Sequence, residues 1–372
     1  MTGGARTVLV APDSFKGSLT SVEVATALRD GWLRARPDDT VELAPLADGG
    51  EGTLVAIAAA GGWEWRKASA TDPIGRRLDV PWLRSVDGGR AVVELAAASG
   101  LSRLTTDERD PAGASTAGTG EVLHAVIDDG VHDITLGIGG SATTDGASGI
   151  LRALGAEVSG DLAALALEGL DPRLAGVSLR IACDVSNPLL GRTGAAATYG
   201  PQKGATPDDV TTLDARLGAW ADALEAATGH RERETPGAGA AGGTAFGLLC
   251  LRDRFRSIEL VPGIEVVMEA TAFDEKLSRA DLVLTGEGRI DGQTAFGKTA
   301  LGVAKRASAA GVPCIAVGGG VLPEGIEALG PVGAVVVSVA ELPMSVEEAM
   351  AAGVGPVERA GERIARLVGL LG

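Results

Sequence analysis

Five short stretches each set a carboxylate beside glycine or a hydroxyl: DSFKGS (13–18), ADGGEG (47–52), IGGSATTDG (138–146), CDVSNP (183–188) and TGEGRIDGQTAFGK (285–298). Carboxylates hold hard divalent cations, and magnesium takes few protein ligands. Glycine lets the backbone approach a ligand closely, and a helix start presents N–H groups to anions. Lys16 and Lys298 add point charges inside two of these stretches. One such loop is usually a turn or a cap, because Asp, Ser and Gly serve both purposes. Five of them are hard to assign to turns alone.

Two formal patterns accompany the loops. Residues 292–299 (GQTAFGKT) fit the phosphate-loop pattern GxxxxGK[ST]. That motif needs its first glycine directly after a strand. The apolar run DLVLT ends at Thr285, and GEGRID is expected as an intervening loop, so the match reads as accidental. Residues 237–242 (GAGAAG) fit GxGxxG. HRERETP before them is no strand, so a dinucleotide fold is not implied; a glycine-rich helix start that meets an anion is the better reading. No GxSxG elbow occurs, and no histidine lies in these loops, which disfavours a serine hydrolase.

The elements that must carry the loops follow from apolar patterning. TVLVAP (7–12) reads as a buried parallel strand. Thr20 and Glu23 form a capping box that opens a helix with Val24, Leu28 and Trp32 on one face. A second strand is expected at 41–45 and a helix from 53 to 60. Three strand-like pieces follow at 63–70, 78–83 and 90–95, with antiparallel or mixed texture. Strands are then expected at 133–138 and 178–183. Thr206, Pro207 and Gly229 bracket a helix over 207–228. Strands at 281–285, 313–317 and 334–339 resume the opening pattern, with a helix at 298–310. The early and late strands together make one parallel sheet. The expected architecture is α/β: a discontinuous domain of 1–66 with 265–372, interrupted by a mixed α/β domain of 67–264.

Composition narrows the function. The chain has 372 residues and a net charge of −16, so non-specific binding to nucleic acid or to an anionic membrane is disfavoured. Aromatics are 3% of residues, too few for base-stacking platforms. The 55 glycines cluster in short loops without a collagen-like period. Three dispersed cysteines and three histidines give neither a disulfide framework nor a zinc site. The N-terminus does not read as a signal peptide. The longest uncharged stretch near an apolar helix, 235–251, is too short to span a bilayer. A cytoplasmic protein is expected.

Taken in order, VLVAPDSFKGSLTS (8–21), PLADGGEGT (45–53), DPIGR (72–76), ELAAASGL (94–101), ASTAGTGE (114–121), GIGGSATTDGASG (137–149), ACDVSNPLLG (182–191), YGPQKGA (199–205), PGAGAAGGTAFGL (236–248) and ADLVLTGEGRIDGQTAFGKTALGVA (280–304) resemble the bacterial class-I glycerate kinase family over nearly the whole chain. The resemblance implies a flavodoxin-like domain interrupted by a second α/β domain, with the active site in the cleft between them. It implies MgATP-dependent phosphorylation of D-glycerate, with 2-phosphoglycerate as the expected product. Thr144 stands where the family usually has asparagine, and Gly292 where it usually has alanine or serine.

Phosphoryl transfer needs cations around the moving group, carboxylates for magnesium, a hydroxyl in line and an acceptor for its proton. Lys16 and Lys298 are the phosphate cations, with Gly139, Gly140, Gly286 and Glu287 beside the nucleotide. Arg76, Arg109 and Arg289 are candidates for the substrate carboxylate, which guanidinium binds in bidentate fashion. Asp13, Asp48 and Asp184 are candidate magnesium ligands. Asp184 and Asp291 are candidates for the proton acceptor, which need act only late in a loose transition state. Ser14, Asp48, Ser115, Thr116, Thr119, Ser141 and Asp145 could meet glycerate or phosphate oxygens. His124 reads as structural. The expected partners are ATP and glycerate, and a homodimer is compatible with the sequence.

Overall fold

A computed structural model describes residues 4–371, apart from 160, 161, 163, 293, 295–298, 343 and 344. The strands among the described residues are β1 (Thr7–Pro12), β2 (Thr40–Leu43), β3 (Trp63–Thr71), β4 (Arg77–Ser85), β5 (Arg90–Glu94), β6 (Asp133–Gly137), β7 (Glu157–Val158), β8 (Leu165–Ala166), β9 (Ser178–Ala182), β10 (Ser257–Val261), β11 (Leu282–Ile290), β12 (Cys314–Val321) and β13 (Val335–Ser338). The chain divides into two compact units. One comprises residues 1–48, 55–61 and 264–372, and the other 49–54 and 62–263.

The first unit is a five-stranded sheet in the order β13-β12-β11-β1-β2, parallel throughout. Relabelled by position this is the flavodoxin order 2-1-3-4-5, whose switch point lies between the strands here called β1 and β11. Continuous apolar runs make the central strands, because helices cover both faces of such a sheet. Val8, Val10, Leu282, Leu284 and Val317 are buried with Val24, Leu28 and Trp32 of the helix Ser21–Ala35. The C-terminal helix Gly355–Leu371 packs against that helix. A β-carbon on Gly31 would lie 1.9 Å from the Glu358 carbonyl oxygen.

The second unit has a six-stranded mixed sheet, β10-β9-β6-β5-β4-β3. The β3–β4 and β4–β5 pairs are antiparallel, and the pairs from β5 to β10 are parallel. The helix Pro207–Thr228 has Thr206 as its cap and Gly229, with φ of 77°, at its end. Its Trp220 is fully buried and donates from Nε1 to the Gly146 carbonyl at 2.9 Å. This anchors the far end of the loop after β6.

Two expected strands prove longer than their apolar cores. β11 runs through the polar GEGRI to Ile290, and β12 runs to Val321. Glu287, Arg289 and Ile290 keep parallel register with Gly318, Gly320 and Val321. The glycines allow it: a β-carbon on Gly319 would meet the Gly288 carbonyl oxygen at 2.6 Å. The expectation of a six-residue loop after Thr285 is therefore corrected. Among the described residues no helix is long and apolar enough to cross a membrane.

Candidate functional site

In the first unit, polar groups gather where β1 ends against the middle of β11, beside the switch point. Asp13 follows β1, and its N–H donates to the Gly286 carbonyl at 2.8 Å. Its carboxylate accepts from the Ser14 N–H at 2.6 Å and from the Thr299 hydroxyl at 2.6 Å. Burial pushes the Asp13 carboxyl up to about 6, and the neighbouring Asp48 carboxylate adds to the rise. The Lys16 ammonium lies 3.3 Å from Asp48. Asp48, then Asp13 and Glu287, hold that ammonium above the usual lysine range. A β-carbon on Gly288 would stand 3.0 Å from the Phe15 Cα, so bare β11 backbone seats the loop that carries Lys16.

Glu287 is buried and accepts from the Thr294 hydroxyl at 2.7 Å. The Asp291 N–H donates to the Thr294 hydroxyl at 3.1 Å, and the exposed Arg289 pairs with the Asp291 carboxylate at 3.1 Å. A β-carbon on Gly286 would meet the Val317 carbonyl oxygen at 2.3 Å, so this glycine is required by strand packing. Lys298 lies outside the described residues. The structure thus brings Asp13, Ser14, Lys16, Asp48, Gly286 and Glu287 together, with Arg289 and Asp291 further along β11.

Two carboxylates that repel one another, with a lysine on one of them, suit a cation bound through one or two protein ligands. No cluster of three or more histidine, cysteine, aspartate or glutamate side chains placed to enclose a metal occurs among the described residues. Magnesium, which keeps most of its waters, fits the Asp13–Asp48 pair; a metal that needs a full protein cage does not.

In the second unit the loop after β6 is the richest. A β-carbon on Gly139 would lie 2.6 Å from the Gly50 Cα, and one on Gly137 2.5 Å from the Gly49 carbonyl oxygen. Gly140 takes φ of 74°. Ser141 is buried, and its hydroxyl accepts from the Lys203 ammonium at 2.8 Å. Asp145 is also buried. One of its oxygens accepts from the Thr116 N–H, the Thr116 hydroxyl and the Gly149 N–H at 2.9, 2.9 and 3.1 Å. Its other oxygen is buried and without a partner, as are the hydroxyls of Thr143, Thr144 and Ser148. Ser115 accepts from the Ala117 N–H at 3.1 Å, and Thr119 donates to Ser99 at 2.8 Å. Ser115, Thr116 and Asp145 therefore tie two helix starts together, work that expectation had not given them.

Arg76 and Asp184 are engaged by the protein, whereas the Arg109 Nε is buried without a partner. Arg76 pairs with Asp72, donates to Glu108 at 2.7 Å and to the Arg103 carbonyl at 3.0 Å. Arg109 lies against the turn of Gly204, with its backbone oxygen 3.1 Å from where a β-carbon would sit. Asp184, after β9, accepts from the Gly263 N–H at 2.8 Å. His124 lies 3.2 Å from Asp128 on its own helix.

The GAGAAG stretch has a packing explanation. A β-carbon on Gly239 would meet the Pro188 carbonyl oxygen at 2.3 Å, and one on Gly242 the Thr143 carbonyl oxygen at 2.0 Å. Backbone meets backbone there, which accounts for the glycines by packing. Reasoning from sequence missed Lys203 and Glu94. Glu94, at the end of β5, is buried, accepts from the Leu54 N–H at 2.6 Å and has its carboxyl pushed by burial to about 7. Both lie within stretches that carried the family resemblance, YGPQKGA and ELAAASGL, which was the available signal.

The sequence model of the glycerate kinase family matches residues 8–369. The chain is 42% identical over 374 residues to a glycerate kinase of Halalkalibacterium halodurans, covering 96% of this chain and 97% of that one. It is 41% identical over 326 residues to a glycerate 2-kinase of Escherichia coli K12, covering 84% of each. A crystal structure from Salmonella typhimurium LT2, assigned as glycerate kinase 2, superposes with a TM-score of 0.83 at 37% identity over 98% of both chains.

Proposed function

The chain belongs to the glycerate kinase family, and we propose that it transfers the γ-phosphoryl group of ATP to D-glycerate, giving 2-phosphoglycerate and ADP. The observation that carries the site assignment is the group of Asp13, Lys16 and Asp48 at the flavodoxin switch point. Open α/β sheets bind ligands at that place, outside the carboxyl ends of the strands.

The glycerate hydroxyl oxygen attacks the γ-phosphorus as the bond to the ADP oxygen breaks, and the hydroxyl proton passes to a carboxylate. Lys16 meets the charge of the transferring group. Lys298 serves as the second phosphate cation. Asp13 and Asp48 would hold magnesium, which would supply neutralisation of phosphate charge. Asp184 and Asp291 are the candidate proton acceptors, and separate Asn substitutions at each distinguish them. Arg289, exposed and paired with Asp291, is the candidate for the substrate carboxylate. In the loop after β6, Ser141 meets glycerate, and Gly139 and Gly140 stay beside the nucleotide.

Incubation with ATP, magnesium and D-glycerate should release ADP, and NMR of the product should place the phosphate on the 2-hydroxyl. No ADP above background would overturn the reading. Lys16→Ala should lower turnover at least ~100-fold, the usual cost of removing one charge-stabilising donor. Its side chain is 75% exposed, so the fold should be unaffected. Activity within a few-fold of wild type would remove Lys16 from the site.

A further inference from the structure

Lys203 is 2% exposed. It closes the short turn Pro201–Lys203, and Gly204 follows with φ of 100°. Its ammonium donates to the Ser141 hydroxyl at 2.8 Å and to the Thr143 carbonyl at 2.6 Å. The charged group that faces it is Asp145, which favours the ammonium, while burial pushes its pKa down to about 7. A buried ammonium is costly, and an apolar side chain of similar volume is often as stable or more so. Packing alone therefore gives no reason for a lysine here.

The hydroxyl of Ser141 supplies the reason. An ammonium can only donate, and a hydroxyl has one proton and two lone pairs. Accepting from Lys203 leaves the Ser141 proton to be given elsewhere, and among the described residues none receives it. The same contact adds positive charge to the loop. A donor backed by a cation suits a carboxylate, which only accepts.

We propose that Lys203 is a positioning residue for glycerate, fixing the Ser141 hydroxyl as a donor to the substrate carboxylate. The proposal rests on glycerate being the substrate. Lys203 acts through Ser141, and the effect belongs to glycerate affinity more than to ATP affinity.

The test measures kcat and the two KM values from pH 6 to 9 for wild type, Lys203→Met, Ser141→Ala and the double variant. Losing a charged hydrogen bond predicts a glycerate KM raised about 10- to 100-fold in Lys203→Met, with the KM for ATP within about threefold. The double variant should be no worse than the more impaired single one, because both remove one linked contact. In wild type the glycerate KM should rise as pH passes above about 7 and the ammonium is lost; the Lys203→Met profile should lack that rise. An unchanged glycerate KM in Lys203→Met, or equal rises in both KM values, would overturn the proposal. Should Lys203→Met not fold, Ser141→Ala decides, and a normal glycerate KM there overturns it. Wild-type protein that does not phosphorylate glycerate would instead defeat the functional reading, a distinguishable result.

Discussion

At the residue scale, the molecule keeps carboxyls out of water at the ends of strands. Asp13 is pushed up to about 6 and Glu94 to about 7, in both cases chiefly by burial. Glu94 also accepts from backbone N–H groups of residues 52–54 and feels the Glu51 carboxylate. Its folded pKa exceeds the unfolded value of 4.5, so the folded chain binds the proton more tightly. Its contribution is then fully favourable below about 4.5 and is lost as pH rises to about 7. Glu94→Gln removes this titration and keeps an oxygen for the Leu54 N–H. The variant should therefore gain thermal stability relative to wild type between pH 4.5 and 7, levelling off above about 7. A shift of this size is worth on the order of 3 kcal/mol. A constant difference in melting temperature across that range would show that Glu94 does not titrate there. Neither Glu94 nor Lys203 stood out in the sequence, because residue type does not disclose burial. Asp13, Lys16 and Asp48 did stand out, because strand ends and glycines flank them.

At the scale of elements, apolar cores of strands were legible and polar extensions were not. DLVLT and PCIAV announce β11 and β12, but Gly286–Ile290 and Gly318–Val321 continue the pairing with glycines and charges. Residues with weak intrinsic strand preference pair here because their neighbours supply the ladder. The extension bears on the phosphate-loop pattern, since Gly292 follows β11 after a single residue. The argument against that motif then rests on Gly292 itself. Among the described residues a β-carbon there would find only the Glu324 Cβ, at 3.8 Å, which is ordinary contact. A true cradle glycine has no room for a side chain once phosphate is bound. We expect Gly292→Ala to keep ATP affinity within about threefold, a change below ~0.7 kcal/mol, when titrated calorimetrically. Loss of ATP binding in a folded Gly292→Ala would restore the phosphate loop and move the nucleotide.

At the scale of the molecule, the sequence order of the strands already implies an interrupted sheet. β1, which carries β2 on its outer side, pairs with a set that begins more than two hundred residues later. The intervening chain has the attributes of an independent domain. All six strands of its mixed sheet fall between Trp63 and Val261. Its core joins Val93, Leu136, Ile150, Leu179, Trp220 and Phe246, all buried to within a few per cent. A continuous stretch with its own sheet and core can in principle fold alone. Residues 62–263 expressed as a separate protein should therefore show mixed α/β circular dichroism and one cooperative melting transition. Residues 49–54 would be missing, so Gly137 and Gly139 lose the Gly49–Gly50 backbone that lies against them, and Glu94 loses the Leu54 N–H. Removing one hydrogen-bond partner at a buried group costs about 1–3 kcal/mol, so the fragment should melt below the full chain yet stay folded at 25 °C. Broad, non-cooperative melting with exposed apolar surface would mean that its core needs the rest of the chain, and the unit would then not be a folding domain.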